Sequence, residues 1–476
     1  MPATATHRSP YSGSWYPADA VELEQLIDEL WQSSEQRTDP CLLSNGRGFV
    51  VPHAGLMYSG TVAAAVYRHL QRQQPERIIL MGFAHRGSPP GVFVPDVERF
   101  ETPLGSVVVD RESVEELLAH RLFRRMSEAR LCDHSVEIQL PLLQRATPAA
   151  RIVPLYVGYL DSASRIEVAR KLAERTGTGS VLVASSDLTH YGAAFDYQPF
   201  PVDHGIGDRL RDLDYEVIEA AGSLREELFA ETLGETGATV CGRDPIRLLL
   251  ATMRLHDSGG EIFQQILDYQ TSGEITGDFH HSVSYGALGY FPYTSFELDE
   301  QEQAAVLEIA RRALGEYQET GRRPATAIPK AAPGVLNRRC SLFVTLRKSG
   351  HLRGCLGRVS AGEPLQALVP ELTLSAALED TRFEAIDPSE SGIDIEISLL
   401  SPMKRIPRAG DFQVGAHGAL LKAQKGNGLL LPQVATGRGW DSAHFLRALA
   451  RKAGVSDEVY SDPATRLYVF RAQVIR

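Results

Sequence analysis

The sequence predicts an α/β protein with a mostly parallel sheet and flanking helices, followed by a separate α+β domain. Two observations predict the first part: short apolar runs alternate with helical patterns, and two of these runs end on a histidine. A third observation, a change of pattern near residue 295, predicts a first domain at 1–295 and a second at 296–476.

The predicted strands of the first domain are short, apolar and bounded by Gly, Pro or polar residues, as is typical of buried parallel strands. We predict a strand in the run 48–53, strands at 77–82, 151–157 and 180–185, and a closing strand at 285–292. Helical patterns lie between them at 20–31, 60–70, 113–118, 166–175 and 245–255. This alternation indicates βαβ units.

Two histidines close consecutive apolar runs: residues 48–53 end on His53 and residues 78–85 end on His85. Open α/β sheets bind ligands just beyond the carboxyl ends of their strands, so we expect both imidazoles in one crevice. The alternative is that each histidine is a hydrogen-bonded polar residue that fixes a strand end.

A third polar segment follows the predicted strand 180–185 and carries Asp187 and His190. The strand would deliver both side chains to the sheet edge that holds His53 and His85. Alternatively, the two residues only fix the turn.

Two more segments place reactive side chains at the start of predicted helices. Asp133 is an expected helix cap, and His134 follows it, either as a functional group or as a helix residue with no further role. Cys241 precedes a helix in which Asp244 is the expected cap and Pro245 suits the first turn. The positive end of that helix would favour a thiolate, although a lone cysteine is more often a small buried hydrophobe.

Composition limits the classes of function. The five scattered cysteines form no Cys-x-x-Cys pair, and residues 1–10 lack the apolar core of a secretory signal, which together predict a cytoplasmic protein with reduced thiols. No run approaches the ~18 apolar residues of a membrane span. The net charge of −11 is concentrated before residue 297, which argues against nucleic acid as a partner. Self-association into a homo-oligomer is left open.

The second domain mixes strand and helix signals. An amphipathic helix is predicted at 299–320, and the prolines of residues 322–333 favour extended chain. Further strands are predicted at 340–347 and 393–400, and helices at 364–377 and 443–453. This order is typical of an α+β unit.

Several motifs of the first domain resemble the Memo family, also called AmmeMemoRadiSam system protein B. The motifs are Tyr-Ser-Gly-Ser-Trp-Tyr-Pro at 11–17, Val-Pro-His-Ala-Gly at 51–55, Ser-Ser-Asp-Leu-Thr-His at 185–190 and Val-Cys-Gly at 240–242. The likeness spans residues 8–292.

This resemblance implies a fold like that of the class III extradiol dioxygenases, in which two histidines and a carboxylate hold non-haem iron. Carried over, it implies His53 and His85 as metal ligands, Cys241 in the carboxylate's place and His190 as acid/base. Trp15 matches an aromatic residue at the mouth of the Memo pocket. A thiolate ligand softens the site, so iron or copper is expected and zinc is also compatible.

The resemblance therefore implies a metal-dependent redox or modifying enzyme, with His190, Asp187 and His134 as the catalytic candidates. Two imidazoles and one thiolate leave a coordination position open for water, dioxygen or substrate. Because a thiolate is easily oxidised, metal binding without ring cleavage is also compatible. The alternative is a non-catalytic module whose crevice binds a metal, a small molecule, a peptide or an anion.

The second domain resembles the AMMECR-type domain, AmmeMemoRadiSam system protein A, over residues 298–476. The motifs are Leu-Arg-Gly-Cys-Leu-Gly at 352–357, Asp-Thr-Arg-Phe at 380–383 and Leu-Leu-Leu-Pro-Gln-Val at 429–434. Arg353 offers a planar fork for a carboxylate or phosphate, Cys355 is a candidate nucleophile, and Arg382 could line the same groove. Alternatively, Arg353 forms an internal ion pair and Cys355 is buried. The two resemblances together imply a radical-SAM protein as partner.

Overall fold

The structure is a computed structural model, and it describes residues 6–87, 89–177, 179–257, 260–324, 334–359, 362–462 and 464–476. The chain divides into two compact units, the first made of Met1–Thr38 and Leu42–Pro292, the second of Asp39–Cys41 and Tyr293–Arg476. The segment predicted to be extended at 322–333 lies outside the described residues from position 325 onward.

The described residues of the first unit form twelve strands. They are β1 (Thr6–Arg8), β2 (Gly48–Val51), β3 (Arg77–Gly82), β4 (Val92–Pro95), β5 (Arg99–Thr102), β6 (Gly105–Val108), β7 (Phe123–Met126), β8 (Arg151–Val157), β9 (Ser180–Ser185), β10 (His190–Gly192), β11 (Ile262–Thr271) and β12 (His281–Pro292). Nine of them form one sheet in the order β10-β12-β2-β9-β3-β8-β4-β7, with β11 paired to β12, and β1-β5-β6 form a small second sheet.

The large sheet is mixed, with a parallel centre. Strands β2, β9, β3 and β8 run parallel to one another, whereas β12 runs antiparallel to β2, β11 and β10, and β4 antiparallel to β8. The prediction of a mostly parallel sheet therefore holds for the central strands but not for the outer strands, several of which are antiparallel to their neighbours. The reason is the β11/β12 pair: β11 is only half-buried and carries no clear apolar run, so the sequence did not reveal it.

In the same described ranges, eleven α-helices accompany these strands. They are α1 (Ala20–Arg37), α2 (Leu56–Gln73), α3 (Arg111–Leu118), α4 (Glu128–Leu131), α5 (His134–Glu137), α6 (Leu140–Ala146), α7 (Ser162–Ala173), α8 (Ile206–Gly222), α9 (Glu226–Thr236), α10 (Arg243–His256) and α11 (Ser272–Thr276). In α1 the carboxylate of Asp19 accepts hydrogen bonds from the first-turn amides, a cap that contributes about 1 kcal/mol. Its buried residues, among them Leu23, Ile27 and Leu30, recur every three or four positions and face the core.

The second unit contains helices on antiparallel sheets. Its helices are α12 (Glu300–Thr320), α13 (Leu365–Leu378), α14 (Pro432–Thr436) and α15 (Ser442–Lys452). Its strands are β13 (Ser341–Lys348), β14 (His351–Arg358), β15 (Ile393–Leu400), β16 (Lys404–Ile406), β17 (Gly418–Ala423), β18 (Gly426–Leu430), β19 (Arg466–Phe470) and β20 (Ala472–Ile475), arranged as β14-β13-β15-β20 and β16-β19-β17-β18. Helix α12 begins with a reciprocal capping box between Asp299 and Glu302.

Two further features concern membrane-spanning helices and disulfide bonds. Among the described residues, no helix has both the length and the apolar character needed to cross a bilayer. All five cysteines lie in the described ranges, and none forms a disulfide.

Candidate metal centre

Three neighbouring strand ends create the site. In the parallel centre, β9 lies between β2 and β3, with Val51 paired to Ser185 and Met81 paired to Ala184. Because parallel strands end at one edge of a sheet, the chain beyond each of them enters the same region. The expectation that these ends share one edge is therefore confirmed.

His53 lies immediately beyond β2 and is almost completely buried, with 1% of its surface exposed. Its Nδ1 is 3.1 Å from the hydroxyl of Ser185, and its backbone amide donates to the carboxylate of Asp187 at 2.7 Å. Burial, reinforced by the nearby His85 and His190, lowers the pKa of His53 to about 3. The ring is therefore neutral near pH 7, with a lone pair available for a metal.

His85 is oriented by a carboxylate. Its Nδ1 is 2.8 Å from Oδ1 of Asp133, and its backbone amide donates to Oδ2 of the same residue. Burial opposes ionisation of Asp133, but the bond with His85 and the charge of His134 outweigh it and lower the pKa to about 2. An ionised carboxylate only accepts hydrogen bonds, so Nδ1 of His85 carries a proton and Nε2 is left as the ligand atom.

His134 lies at the start of α5, where Asp133 is the helix cap, as predicted, and accepts a bond from the amide of Ser135. The His134 ring stacks on that of His85 with centroids 4.0 Å apart, and Trp15 packs on it at 4.3 Å. Burial lowers the pKa of His134 to about 3. The three rings form a continuous aromatic surface beside His53.

Cys241 precedes α10 and reaches the same region from the other side. Its Sγ is 3.1 Å from Nε2 of His53. The next residue must be glycine, because a Cβ on Gly242 would lie 2.5 Å from the Cβ of Ser186 and 2.7 Å from the carbonyl oxygen of Ser185. This close approach of two backbone segments sets the position of the sulfur.

The start of α10 differs from the prediction. Gly242 occupies the cap position with no side-chain hydrogen bond, and Asp244 lies inside the first turn instead. The expected thiolate is also corrected: burial and then the carboxylate of Asp187 raise the pKa of the Cys241 thiol well above its ordinary value. Desolvation outweighs the helix terminus here, so a metal would have to displace the thiol proton.

Asp187 and His190 follow β9. Asp187 is buried, and burial raises its pKa. The backbone amide of His190 donates to the hydroxyl of Thr239, and its Nδ1 lies 3.1 Å and 3.2 Å from the carbonyl oxygens of Leu188 and Thr239. Since a carbonyl only accepts, Nδ1 carries a proton and Nε2 is the nitrogen that can exchange one.

The potential ligand atoms of the site fall into two overlapping groups, each with all atoms within 4.8 Å of one another. The histidine group contains His53, His85 and His134, and the cysteine group contains His53, Asp187 and Cys241. The three predicted ligands, His53, His85 and Cys241, are thus divided between two groups that share His53. His190 belongs to neither group.

Comparison with known proteins identifies the family. Residues 8–289 match the family described as Memo-like protein, which is more than half of the chain. The chain belongs to the Memo family. A second match, to the family AMMECR1, covers residues 307–475, so the protein joins a Memo domain to an AMMECR1 domain.

Proteins similar to parts of this chain come from distant organisms. A MEMO1 family protein of Methanosarcina barkeri is 33% identical over 291 residues, which span 58% of this chain and 97% of the relative. The memo-1 homologue of Caenorhabditis elegans is 28% identical over 294 residues, 59% of this chain and 81% of the relative. Among solved structures, an uncharacterised protein of Pyrococcus horikoshii is 31% identical, covers 37% of this chain and 92% of that chain, and has a TM-score of 0.35.

In the AMMECR1 domain, the two predicted arginines are occupied by internal partners. The guanidinium of Arg353 pairs with the carboxylate of Glu390 at 2.9 Å and donates to the carbonyl oxygen of Glu384 at 2.6 Å. Arg382 pairs with Asp380 at 2.7 Å and donates to the carbonyl oxygen of Cys355.

Cys355 itself lies in β14, half-buried, and its sulfur accepts a bond from the hydroxyl of Thr345 at 3.3 Å. A side chain on the preceding Gly354 would overlap the carbonyl oxygen of Ala376, so β14 needs glycine where α13 crosses it.

Sequence reasoning missed the residues that orient the Memo site. Asp133 was visible only as a helix cap, and nothing local reveals its bonds to His85, 48 positions earlier. Gln139, which donates to both the Ser185 hydroxyl and the carbonyl of Pro52, gave no signal at all. Such partners become visible only when strands and helices are assembled.

Proposed function

We propose that the Memo domain is a metal-dependent redox or modifying enzyme with the fold of the class III extradiol dioxygenases. In this proposal His53, His85 and Cys241 hold one transition-metal ion. The observation that carries the proposal is the 3.1 Å separation of the Cys241 sulfur and the His53 Nε2. Two ligands of one tetrahedral metal lie about 3.5 Å apart at ordinary bond lengths, so the His53–Cys241 pair needs only a small adjustment. His85 and Cys241 belong to different groups of ligand atoms, so binding of one ion would also draw these two side chains together.

The donor set fits such an ion. Both imidazoles are contacted through Nδ1, His53 by Ser185 and His85 by Asp133, which directs Nε2 toward a metal. Two neutral imidazoles and a thiolate suit iron or copper, with zinc also compatible. When bound, the metal would supply Lewis acidity and, for iron or copper, electron transfer.

The remaining residues have roles in positioning and proton transfer. Asp133 orients His85, and Asp187 fixes the backbone at His53. His190 is proposed as the proton carrier, because its Nδ1 is held by carbonyl oxygens and its Nε2 can exchange a proton with substrate or water. His134 offers either a further ligand or a contact to substrate beside Trp15.

Elemental analysis of the full chain, purified without chelator, tests the metal site. We expect about one equivalent of iron or copper at the site. A His53→Ala/His85→Ala variant should lose this metal and keep its circular dichroism spectrum. His120→Gln is the matched control, since His120 pairs with Glu167 far from these groups in sequence. Full metal retention in the double variant would reject the assignment.

Catalysis needs a separate test. Metal-loaded protein should consume dioxygen with a catechol-type substrate or with another reducing substrate, and His190→Gln should lower the rate while leaving metal content unchanged. A rate that is insensitive to His190 would remove its proposed role. Metal binding without any turnover would favour the alternative function.

That alternative is a non-catalytic binding module. It is favoured by the surface of Tyr11, Trp15 and His134, whose rings contact one another at centroid distances of 4.3–5.6 Å. Aromatic faces of this kind suit a peptide or small organic ligand. A peptide or anion recovered with metal-free protein, and lost in Trp15→Ala, would support the module over the enzyme.

We also propose, from the family resemblance, that the two domains act with a radical-SAM protein. The 476 residues contain no Cys-x3-Cys-x2-Cys motif, so that chemistry would come from another chain. In this proposal Cys355 contributes to substrate binding in the AMMECR1 domain, and Arg353 and Arg382 hold the neighbouring segments through their bonds to Glu390 and Asp380. Co-purification of a radical-SAM protein with the tagged full chain tests the partnership, and Cys355→Ser tests the thiol without disturbing either arginine.

A further inference from the structure

A second cluster of metal-binding side chains lies in the first unit, apart from the residues discussed above. It contains His7 of β1, Cys132 and Glu137, whose ligand atoms all lie within 4.8 Å of one another. Nε2 of His7 is 3.1 Å from Oε1 of Glu137. A nitrogen, a sulfur and a carboxylate oxygen are the three ligand types that zinc accepts in proteins.

The carboxylate of Glu137 points to an unfilled role. Its side chain is completely buried, and its Oε2 has no hydrogen-bond partner among the described residues. A buried carboxylate oxygen without a partner is unfavourable, so such groups are usually paired or bound to a metal. The unpartnered oxygen is therefore evidence for a ligand.

His7 is arranged like a metal ligand. Its Nδ1 is 3.3 Å from Oε2 of Glu128, while Nε2 faces Glu137. A carboxylate on Nδ1 orients a histidine for coordination through Nε2, as Asp133 does for His85. His7 thus lies between the carboxylates of Glu128 and Glu137.

We propose that His7, Cys132 and Glu137 form a second metal site that binds zinc, distinct from the site at Cys241. The thiolate and the carboxylate would neutralise the divalent charge, and the neutral imidazole would complete three protein ligands. Glu128 would orient His7 without coordinating.

This site has a structural consequence for the first one. Cys132 and Glu137 flank the segment that carries Asp133 and His134, so one ion would fix both ends of that segment. Asp133 is the residue that orients His85. Occupancy of the second site would therefore hold the orienting carboxylate of the first in place.

Cobalt titration of the full chain tests the proposal, because thiolate-to-cobalt charge transfer reports each coordinated cysteine separately. Cys241→Ser protein should keep a thiolate band from Cys132, and Cys132→Ser protein should keep the band from Cys241. The double variant should have neither. In the Cys241→Ser background, His7→Gln and Glu137→Gln should weaken cobalt binding about tenfold or more, whereas His120→Gln, which alters another His–Glu pair, should not.

Absence of a thiolate band in Cys241→Ser protein would overturn the second site, and absence of one in Cys132→Ser protein would instead argue against the first. A measurement on the unmutated chain avoids dependence on the folding of variants. Zinc should protect the half-buried Cys132 from alkylation at least tenfold, measured by peptide mass mapping. An unchanged alkylation rate at saturating zinc would also overturn the proposal.

Discussion

The two units differ in how the side chains predicted to be functional are hydrogen-bonded within the protein. In the Memo domain, His85 and His190 are held through Nδ1 by groups that only accept hydrogen bonds, so each keeps Nε2 for another partner. In the AMMECR1 domain, Arg353 and Arg382 direct their guanidinium groups at Glu390 and Asp380. In the sequence, both the histidines and the arginines were candidates for function, each with a structural alternative.

The difference teaches how to tell a positioned ligand from a structural ion pair. A side chain that is positioned to bind a ligand is hydrogen-bonded through one atom and leaves another atom available. The donors of a structural side chain are instead all hydrogen-bonded to groups of the protein. His85 and His190 meet this criterion, in agreement with the proposed metal site, whereas Arg353 and Arg382 pair with carboxylates inside the fold.

The largest effect on metal affinity is expected from substitution of Asp133. Asp133→Asn should weaken metal binding at the Memo site by about 10- to 100-fold, because the amide no longer fixes the protonated Nδ1 of His85. A competition titration with a chelator measures this affinity. Asp161→Asn, at the cap of α7, is the control and should leave it unchanged. Equal affinities in the two variants would show that Asp133 does not orient a ligand.

The next effect concerns the turn that carries Cys241. Gly242→Ala should destabilise the first unit by about 1–3 kcal/mol, because the added methyl group meets Ser186 and the Ser185 carbonyl. Gly234→Ala in α9, where a Cβ would contact nothing within 4 Å, should be neutral or stabilising by up to about 1 kcal/mol. Thermal unfolding compares the two, and a Gly242→Ala protein as stable as Gly234→Ala would contradict the packing argument.

Substitution of Arg353 tests whether this arginine is structural. Arg353→Lys should destabilise the second unit by about 1–2 kcal/mol, because lysine cannot reproduce the fork shared between Glu390 and the Glu384 carbonyl. Metal content should not change. The exposed Arg451→Lys in α15 serves as control for thermal unfolding. A stable Arg353→Lys protein with altered substrate binding would instead support a functional arginine.

The smallest expected effect is a pH dependence in the second unit. The bond with Arg382 lowers the pKa of Asp380 from 3.8 to about 2. The folded state therefore binds fewer protons than the unfolded state in this range, and the stabilisation is present above pH 3.8 and lost as the pH falls through about 2. Acid unfolding followed by circular dichroism should show a weaker dependence in Arg382→Gln. Identical acid transitions would mean that this pair does not contribute.

Much of the fold followed from local pattern. The strands β3, β8, β9 and β15 have the predicted bounds, because a short apolar run closed by Gly or a polar residue has few other stable structures. The helices α2 and α7 extend beyond or shift from the predicted ranges, since helix ends depend on caps and tertiary contacts. Strand β11 was missed because its half-buried residues resemble a polar loop.

The sequence by itself determined which side chains were available: two strand-terminal histidines, a cysteine before a helix, and motifs that resemble the Memo family. Only the tertiary structure decided which atoms meet, because contacts such as His85 with Asp133 and His53 with Cys241 join residues 48 and 188 positions apart. It also decided the direction of the pKa shifts, since burial lowers the pKa of His53 and raises that of the Cys241 thiol. Local sequence encodes strand ends and caps, whereas distance and desolvation arise from packing.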